Sequence, residues 1–239
     1  MYIGVKALIS EFKEPFDKIG KATKKAKKNL SDRGEKASKE ILEEEINLIL
    51  AEWDRKRDRG EKVQKDLCVK ELKTNKNAIL EKYEKHDNIS IIDKSISKVE
   101  NNTVYLEKKL ISNKYKLIGY SDKIEVKRGT IYITDNKVVE KIYRSSGFTL
   151  DNGFKVPPTK MLAPLDHLDD CNYIDFVLQL SLYMYLAWES NKRLKIGKLF
   201  IRHIHMNDKD KVISDELIEV PYMKEEVMKI LKYRLLNEN

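Results

Sequence analysis

Asp122, Asp135 and Lys137 lie in the stretch GYSDKIEVKRGTIYITDNK, residues 119–137. Two runs rich in Ile, Val and Tyr flank a Lys-Arg-Gly turn, a pattern that predicts a β-hairpin. Charged side chains inside a sheet are costly unless they are paired, solvated or bound to a cation. Two carboxylates on neighbouring strands can share one divalent ion, and their hard oxygens suit Mg²⁺ or Mn²⁺. Lys137 follows Asp135 by two residues, so both project from the same strand face. An ammonium there can orient a water, or stabilise charge that develops on a phosphate. The chemistry indicated is metal-assisted hydrolysis. On spacing alone, an exposed hairpin with ordinary surface charges is the simpler account of Asp-x-Lys.

The elements that must position these residues are read from the rest of the chain. Its 239 residues fit one large domain, or one domain with an appendage. The charged fraction is 36% and the net charge +8, a mild argument for an anionic partner such as nucleic acid and equally the mark of a Lys-rich soluble surface. The two cysteines, Cys68 and Cys171, form no CxxC, which argues against a disulfide framework, a Cys-rich zinc site or an iron–sulfur cluster. No apolar run approaches a membrane span, and no secretory signal core opens the chain. The expectation is a cytoplasmic protein with reduced thiols.

Residues Lys18 to Lys39 read as a solvated helix or a loosely ordered basic segment. A helix is predicted from Ser38 to Lys56, with Ile41, Ile46, Ile49, Leu50 and Trp53 as its apolar face. Arg59-Gly60 marks a bend, and a second helical stretch runs from about Glu61 to Lys85. Strands follow at Thr103–Leu110, Tyr115–Val126 and Thr130–Thr134. A loop with Gly147, Gly153, Pro157, Pro158 and Pro164 leads to a buried helix, Asp170–Glu189, apolar on more than one face. Lys198–His205 reads as the last strand and Glu225–Leu236 as a C-terminal helix. The order predicts a mixed α/β domain.

In this context the hairpin resembles the core of the PD-(D/E)XK nuclease superfamily, where a first Asp and then Asp/Glu-x-Lys sit on adjacent strands. Gln179-Leu180-Ser181-Leu182-Tyr183 is similar to the QxxxY motif of its RecB-like branch, on the expected following helix. The segment Met161–Asn172 and the N-terminal Ile9–Asp17 resemble phage-encoded members of that branch. The resemblance implies a restriction-endonuclease-like α/β core, with a central mixed β-sheet flanked by helices and preceded by N-terminal helices. It implies one nuclease domain over residues 1–239, with a helical part at 1–100 and an αβ catalytic core at 101–239. The implied activity is metal-dependent DNA hydrolysis, as an exonuclease in phage replication or recombination, with Mg²⁺ or Mn²⁺ as cofactor. The implied partners are DNA and a recombination or replication protein, with no membrane; if phage-encoded, the chain would work in the host cytoplasm. By the same resemblance Asp122 and Asp135 hold the metal, Lys137 is the catalytic lysine, and Gln179 and Tyr183 arrange the site and the DNA. Glu107 stands where related proteins often carry a Glu before the first Asp; a surface strand Glu is the equal alternative.

One departure bears on activity. RecB-like members often carry Gly-x-x-x-His on the upstream helix; here Gly60 is followed at that spacing by Gln64. A Gln carbonyl is a neutral oxygen ligand for Mg²⁺ but does not bind as imidazole does. Gln64 is thus a candidate metal ligand, and a catalytically degenerate nuclease fold that binds DNA or serves a structural role is the alternative function. Val138 replaces a frequent Thr. His203 and His205 share one strand face, so both could touch DNA or both be solvated, the second being the first expectation, and His167 is expected to be a hydrogen-bonded loop residue. Lys21 to Lys39, Lys192, Arg193, Lys195 and Lys198 could meet phosphates, though each alone reads first as solvated surface.

Overall fold

The predicted hairpin forms, and its turn explains its sequence. Lys127 pairs with Thr130, leaving a two-residue loop of Arg128 and Gly129 with φ of 50° and 74°. Positive φ at both positions matches the right-handed twist of the flanking strands, and glycine takes the second without a Cβ penalty. A computed structural model of the chain describes residues 1–81, 98–149 and 153–237.

In chain order the elements are β1 (Ile3–Gly4), α1 (Val5–Ser10), α2 (Lys18–Asp32), α3 (Lys39–Thr74), β2 (Ala78–Leu80), β3 (Thr103–Ser112), β4 (Leu117–Lys127), β5 (Thr130–Val138), β6 (Phe148–Thr149), β7 (Lys155–Val156), α4 (Asn172–Ser190), β8 (Lys195–Met206), β9 (Val212–Val220) and α5 (Lys224–Leu236). Two units are distinguished: Pro15–Lys65, and Met1–Glu14 together with Asp66–Asn239.

The helical unit, Pro15–Lys65, is built by α2 and most of α3. Asp17 caps α2, accepting from the Gly20 amide at 2.8 Å. Ala22 and Ala26 are buried against Ile49, with Leu42, Ile46, Leu50 and Trp53 around them. The basic segment is therefore a helix, and part of its charge is paired: Lys25 with Glu52 at 3.4 Å and Lys18 with Asp54 at 3.5 Å. Ile41, expected on the apolar face, is exposed. The expected bend at Arg59-Gly60 does not occur. α3 runs unbroken through Gly60, because one glycine in a long helix costs only about 1 kcal/mol.

The second unit holds a seven-stranded mixed sheet in the order β2-β3-β4-β5-β8-β9, with β1 pairing β4 off that path. β3, β4 and β5 are antiparallel, β5 and β8 parallel, and β8 and β9 antiparallel. Tyr105, Ile124, Val126, Ile131 and Ile133 bury against α4, whose Val177, Leu178, Leu180, Leu182 and Leu186 make it apolar all round. Val104 and Leu106 meet Cys68 on the C-terminal part of α3. Helices thus flank the sheet on both sides, consistent with a restriction-endonuclease-like core. No helix among the described residues is long and apolar enough to cross a membrane.

Three boundaries differ from expectation. The stretch read as helix to Lys85 ends at Thr74 and turns into β2; its remainder from Lys82 to Lys85 lies outside the described residues. β5 continues past Thr134 to Val138 because β8 pairs with it as far as Val138↔Ile204. β8 is not the last strand: β9 follows, as an edge whose charges answer β8, with Arg202–Asp215 at 2.6 Å and Lys198–Glu219 at 2.8 Å.

Candidate active site

The site forms where β4 and β5 part. Their ladder ends at Lys123↔Thr134, while β5 goes on beside β8. One more step of that register sets Asp122 opposite Asp135, and opposed residues of an antiparallel pair share a face. Asp135 and Lys137 keep the parity of Ile131 and Ile133, which face α4. Asp122 has the parity of Ile124 and Val126 on the same side. Strand period alone therefore brings the three charges together under α4.

Gln179 of α4 completes the group. Lys137 Nζ donates to Gln179 Oε1 at 3.1 Å, and Gln179 Nε2 donates to Asp135 Oδ1 at 3.2 Å and to the Tyr183 hydroxyl at 2.9 Å. Lys137 also ion-pairs with Asp135 Oδ2 and lies 4.6 Å over the Phe176 ring. The Asn136 amide donates to Asp122 Oδ2 at 2.7 Å. Asp135, Gln179 and Tyr183 are buried, and Lys137 is nearly so. Burial first, and then repulsion from Asp135, hold the Asp122 carboxyl well above the ordinary carboxylate range. Burial likewise pushes the Tyr183 phenol far up, with the Asp135 charge adding to it. Tyr183 is a neutral hydrogen-bonding group here.

Two features of the site carry no sequence motif. Gly119 on β4 makes room for Tyr183: a Cβ there would stand 2.6 Å from the Tyr183 ring. Glu107 has φ of 55°, rare for a residue with a side chain. It falls between the pairs Leu106↔Lys123 and Lys108↔Ser121, directly across from Asp122. At this level the pleat changes phase. Val104 and Leu106 face Cys68, Tyr105 faces the main core, and beyond Glu107 it is Leu110 that does. The irregularity turns Glu107 toward Cys68, whose Sγ lies 3.7 Å from Oε1, and its charge also raises Asp122. Of the two sequence readings of Glu107, the one beside the carboxylates matches its place.

The donor set suits a hard divalent cation. Two carboxylates repel each other at close range, and the buried Asp135 Oδ2 accepts no hydrogen bond, only the charge of Lys137. Among the described residues no group of three or more His, Cys, Asp and Glu side chains is gathered to hold a metal. The protein would thus supply two carboxylates and water the rest, as is usual for Mg²⁺.

Gln64 lies half-buried on α3, within the helical unit. His203 is only partly solvated: it is half-buried, and its ring lies 2.9 Å from the Val139 carbonyl. His167 hydrogen bonds Glu226 at 3.1 Å, in keeping with a bonded loop residue. Lys198, a candidate phosphate contact, is taken by Glu219.

No protein-family model matches the chain, and no curated protein matches it. Among solved structures, the crystal structure of SSO0001 aligns with a TM-score of 0.34 at 14% identity, over 100% of this chain and 77% of that one. A "Putative exonuclease" from Eubacterium rectale aligns with a TM-score of 0.28 at 12% identity, over 59% of this chain and 48% of that one.

Proposed function

We propose that the chain is a metal-dependent deoxyribonuclease of the PD-(D/E)XK superfamily, RecB-like branch, acting as an exonuclease in phage DNA replication or recombination. The observation that carries this reading is the convergence of Asp135 and Lys137 on Gln179 where β4 and β5 part, with Asp122 held beside them by the Asn136 amide. Asp122 and Asp135 would hold Mg²⁺ or Mn²⁺. When bound, the cation supplies Lewis-acid polarisation of the phosphodiester and an acidified water. The remaining work belongs to the chain. The Asn136 amide aims Asp122, and Gln179 fixes both Asp135 and Lys137. The Lys137 ammonium, preorganised in a water-poor setting, meets the charge that develops on the phosphate. Tyr183, kept neutral, holds Gln179 in place.

A catalytically degenerate fold that binds DNA is the second reading. It is favoured by the donor set of two carboxylates among the described residues and by Gln64 at the position of the family His. End-labelled linear DNA and closed circular DNA, incubated with and without Mg²⁺ or Mn²⁺, decide between the two. Metal-dependent release of nucleotides from the linear form supports an exonuclease. Nicking of the circle supports an endonuclease. Silence on both supports the degenerate fold.

A further inference from the structure

Beyond Val138 the chain leaves the sheet and is fastened to the first turn of α4. The Tyr143 amide donates to Asn172 Oδ1 at 2.7 Å, Asn172 Nδ2 donates to the Lys141 carbonyl at 3.0 Å, and the Tyr173 amide donates to the Tyr143 carbonyl at 3.3 Å. These bonds fix an irregular segment so that its side chains are presented in a set order. Tyr143 is 55% exposed, although a tyrosine ring ordinarily finds cover. Lys141 lies 5.3 Å from its centroid, and the Arg144 guanidinium stacks 4.6 Å over Tyr173. One turn along α4, Phe176 carries Lys137 over its face, and Gln179 follows one turn later. Aromatic rings and cations therefore alternate from open solvent to the Asp135 carboxylate.

The local charge balance favours an anion. Asp169 is taken by Lys160 at 2.7 Å and by Ser145 at 2.8 Å, and Asp170 and Asp175 are both taken by Lys13 at 2.7 Å. Glu140 is the exposed acid beside the strip. Lys141 and Arg144 have no carboxylate partner among the described residues. A duplex keeps its base faces stacked inside and meets a protein mainly through phosphates. An exposed ring beside a cation instead suits an unpaired base with its phosphate. Because the segment is already fastened, little ordering cost falls on binding.

We propose that the strip Tyr143–Arg144–Tyr173–Phe176 is a binding path for single-stranded DNA that leads an unpaired end to Lys137. This rests on the hydrolytic reading of the site for its endpoint, whereas the binding itself does not. The test is fluorescence anisotropy with labelled oligothymidylate and with a duplex of equal length, in EDTA at fixed salt, so that binding is read without cleavage. Wild type is expected to prefer oligothymidylate. Tyr143→Ala should weaken that binding by about 5- to 150-fold, the range set by one stacked base, and leave duplex binding unchanged. Tyr143→Phe, which keeps the ring, should bind as wild type. Arg144→Ala should reduce the salt slope for the single strand by about 0.7. The proposal is overturned if wild type prefers the duplex or binds neither form, or if Tyr143→Ala binds oligothymidylate as wild type does. Cleavage is read separately with Mg²⁺ or Mn²⁺. A chain that holds the single strand through Tyr143 yet never cuts it sustains the strip and sinks the hydrolytic reading.

Discussion

The backbone amide of Asn136 donates to Asp122 Oδ2 at 2.7 Å, so the main chain of β5 aims a carboxylate that belongs to β4. The two strands have already parted at this level, and the bond spans the opening. A main-chain donor cannot be removed by exchanging a side chain. This bond to Asp122 thus comes from the main chain and not from the side chain of residue 136.

Asp122→Asn separates charge from geometry. The amide oxygen can accept the same bond, while the charge opposed by burial and by Asp135 is gone. The expected outcome is a folded protein whose thermal midpoint at neutral pH in EDTA equals or exceeds that of wild type, with cleavage lost. Circular dichroism melting and the end-label assay check the two halves. A midpoint well below wild type would mean that the Asp122 charge stabilises the fold.

Gly119→Ala probes the packing behind Gln179. The added methyl would stand 2.6 and 2.9 Å from Tyr183 ring atoms and 3.0 Å from Val5 Cγ2. Overpacking of this kind costs about 1–3 kcal/mol. Because Tyr183 hydrogen bonds Gln179, the displaced ring should also loosen Lys137. Denaturant unfolding should show a lower midpoint at constant slope, and cleavage should fall while DNA binding holds. An unchanged midpoint would show that the strand yields here at no cost.

Cys68 gives a pH dependence of defined sign. Burial, with the charges of Glu107 and Asp122, pushes its thiol up to about 12. In the unfolded chain a thiol titrates near about 8.5. Between these values the folded chain keeps a proton that the unfolded chain releases, so stability falls as pH rises through that window. Cys68→Ala should flatten the fall, measured as denaturation midpoints over the alkaline range. Iodoacetamide at mildly alkaline pH should leave native Cys68 unlabelled and label it in denaturant. Prompt labelling of Cys68 in the native chain would contradict this environment.

Part of the site was legible from periodicity and part from resemblance. Strand parity put Asp135 and Lys137 on one face, and the resemblance to a known nuclease hairpin joined Asp122 to them; the register that sets Asp122 near Asp135 is seen in the sheet. Gln179 and Tyr183 were singled out by their resemblance to the QxxxY motif, on a helix whose apolar character is plain. β9 was missed because Asp215, Glu216 and Glu219 break the apolar alternation of a strand; Arg202 and Lys198, which pair with Asp215 and Glu219, lie on β8 and become visible only in the sheet. The length of α3 was missed because Gly60 and its charged neighbours look like a break, and β2 because three residues are too few for a pattern. Gly119 and the phase change at Glu107 depend on backbone geometry, which residue types do not encode.

The role of Lys137 tests the account most directly. Its ammonium is held by Gln179 at 3.1 Å and by Asp135, among groups too buried to be replaced by a passing solvent cation. Binding of DNA is shared among many phosphate contacts, so the loss of one lysine should lower the salt slope by about one at most. Transition-state charge has no such redundancy, and loss of one preorganised donor costs about 100- to 1000-fold in rate. The measurement is nucleotide release by Lys137→Ala and wild type with Mg²⁺ or Mn²⁺, beside a binding titration at fixed salt. The account predicts release reduced by at least about 100-fold with binding nearly intact. Equal release by the two proteins would contradict it.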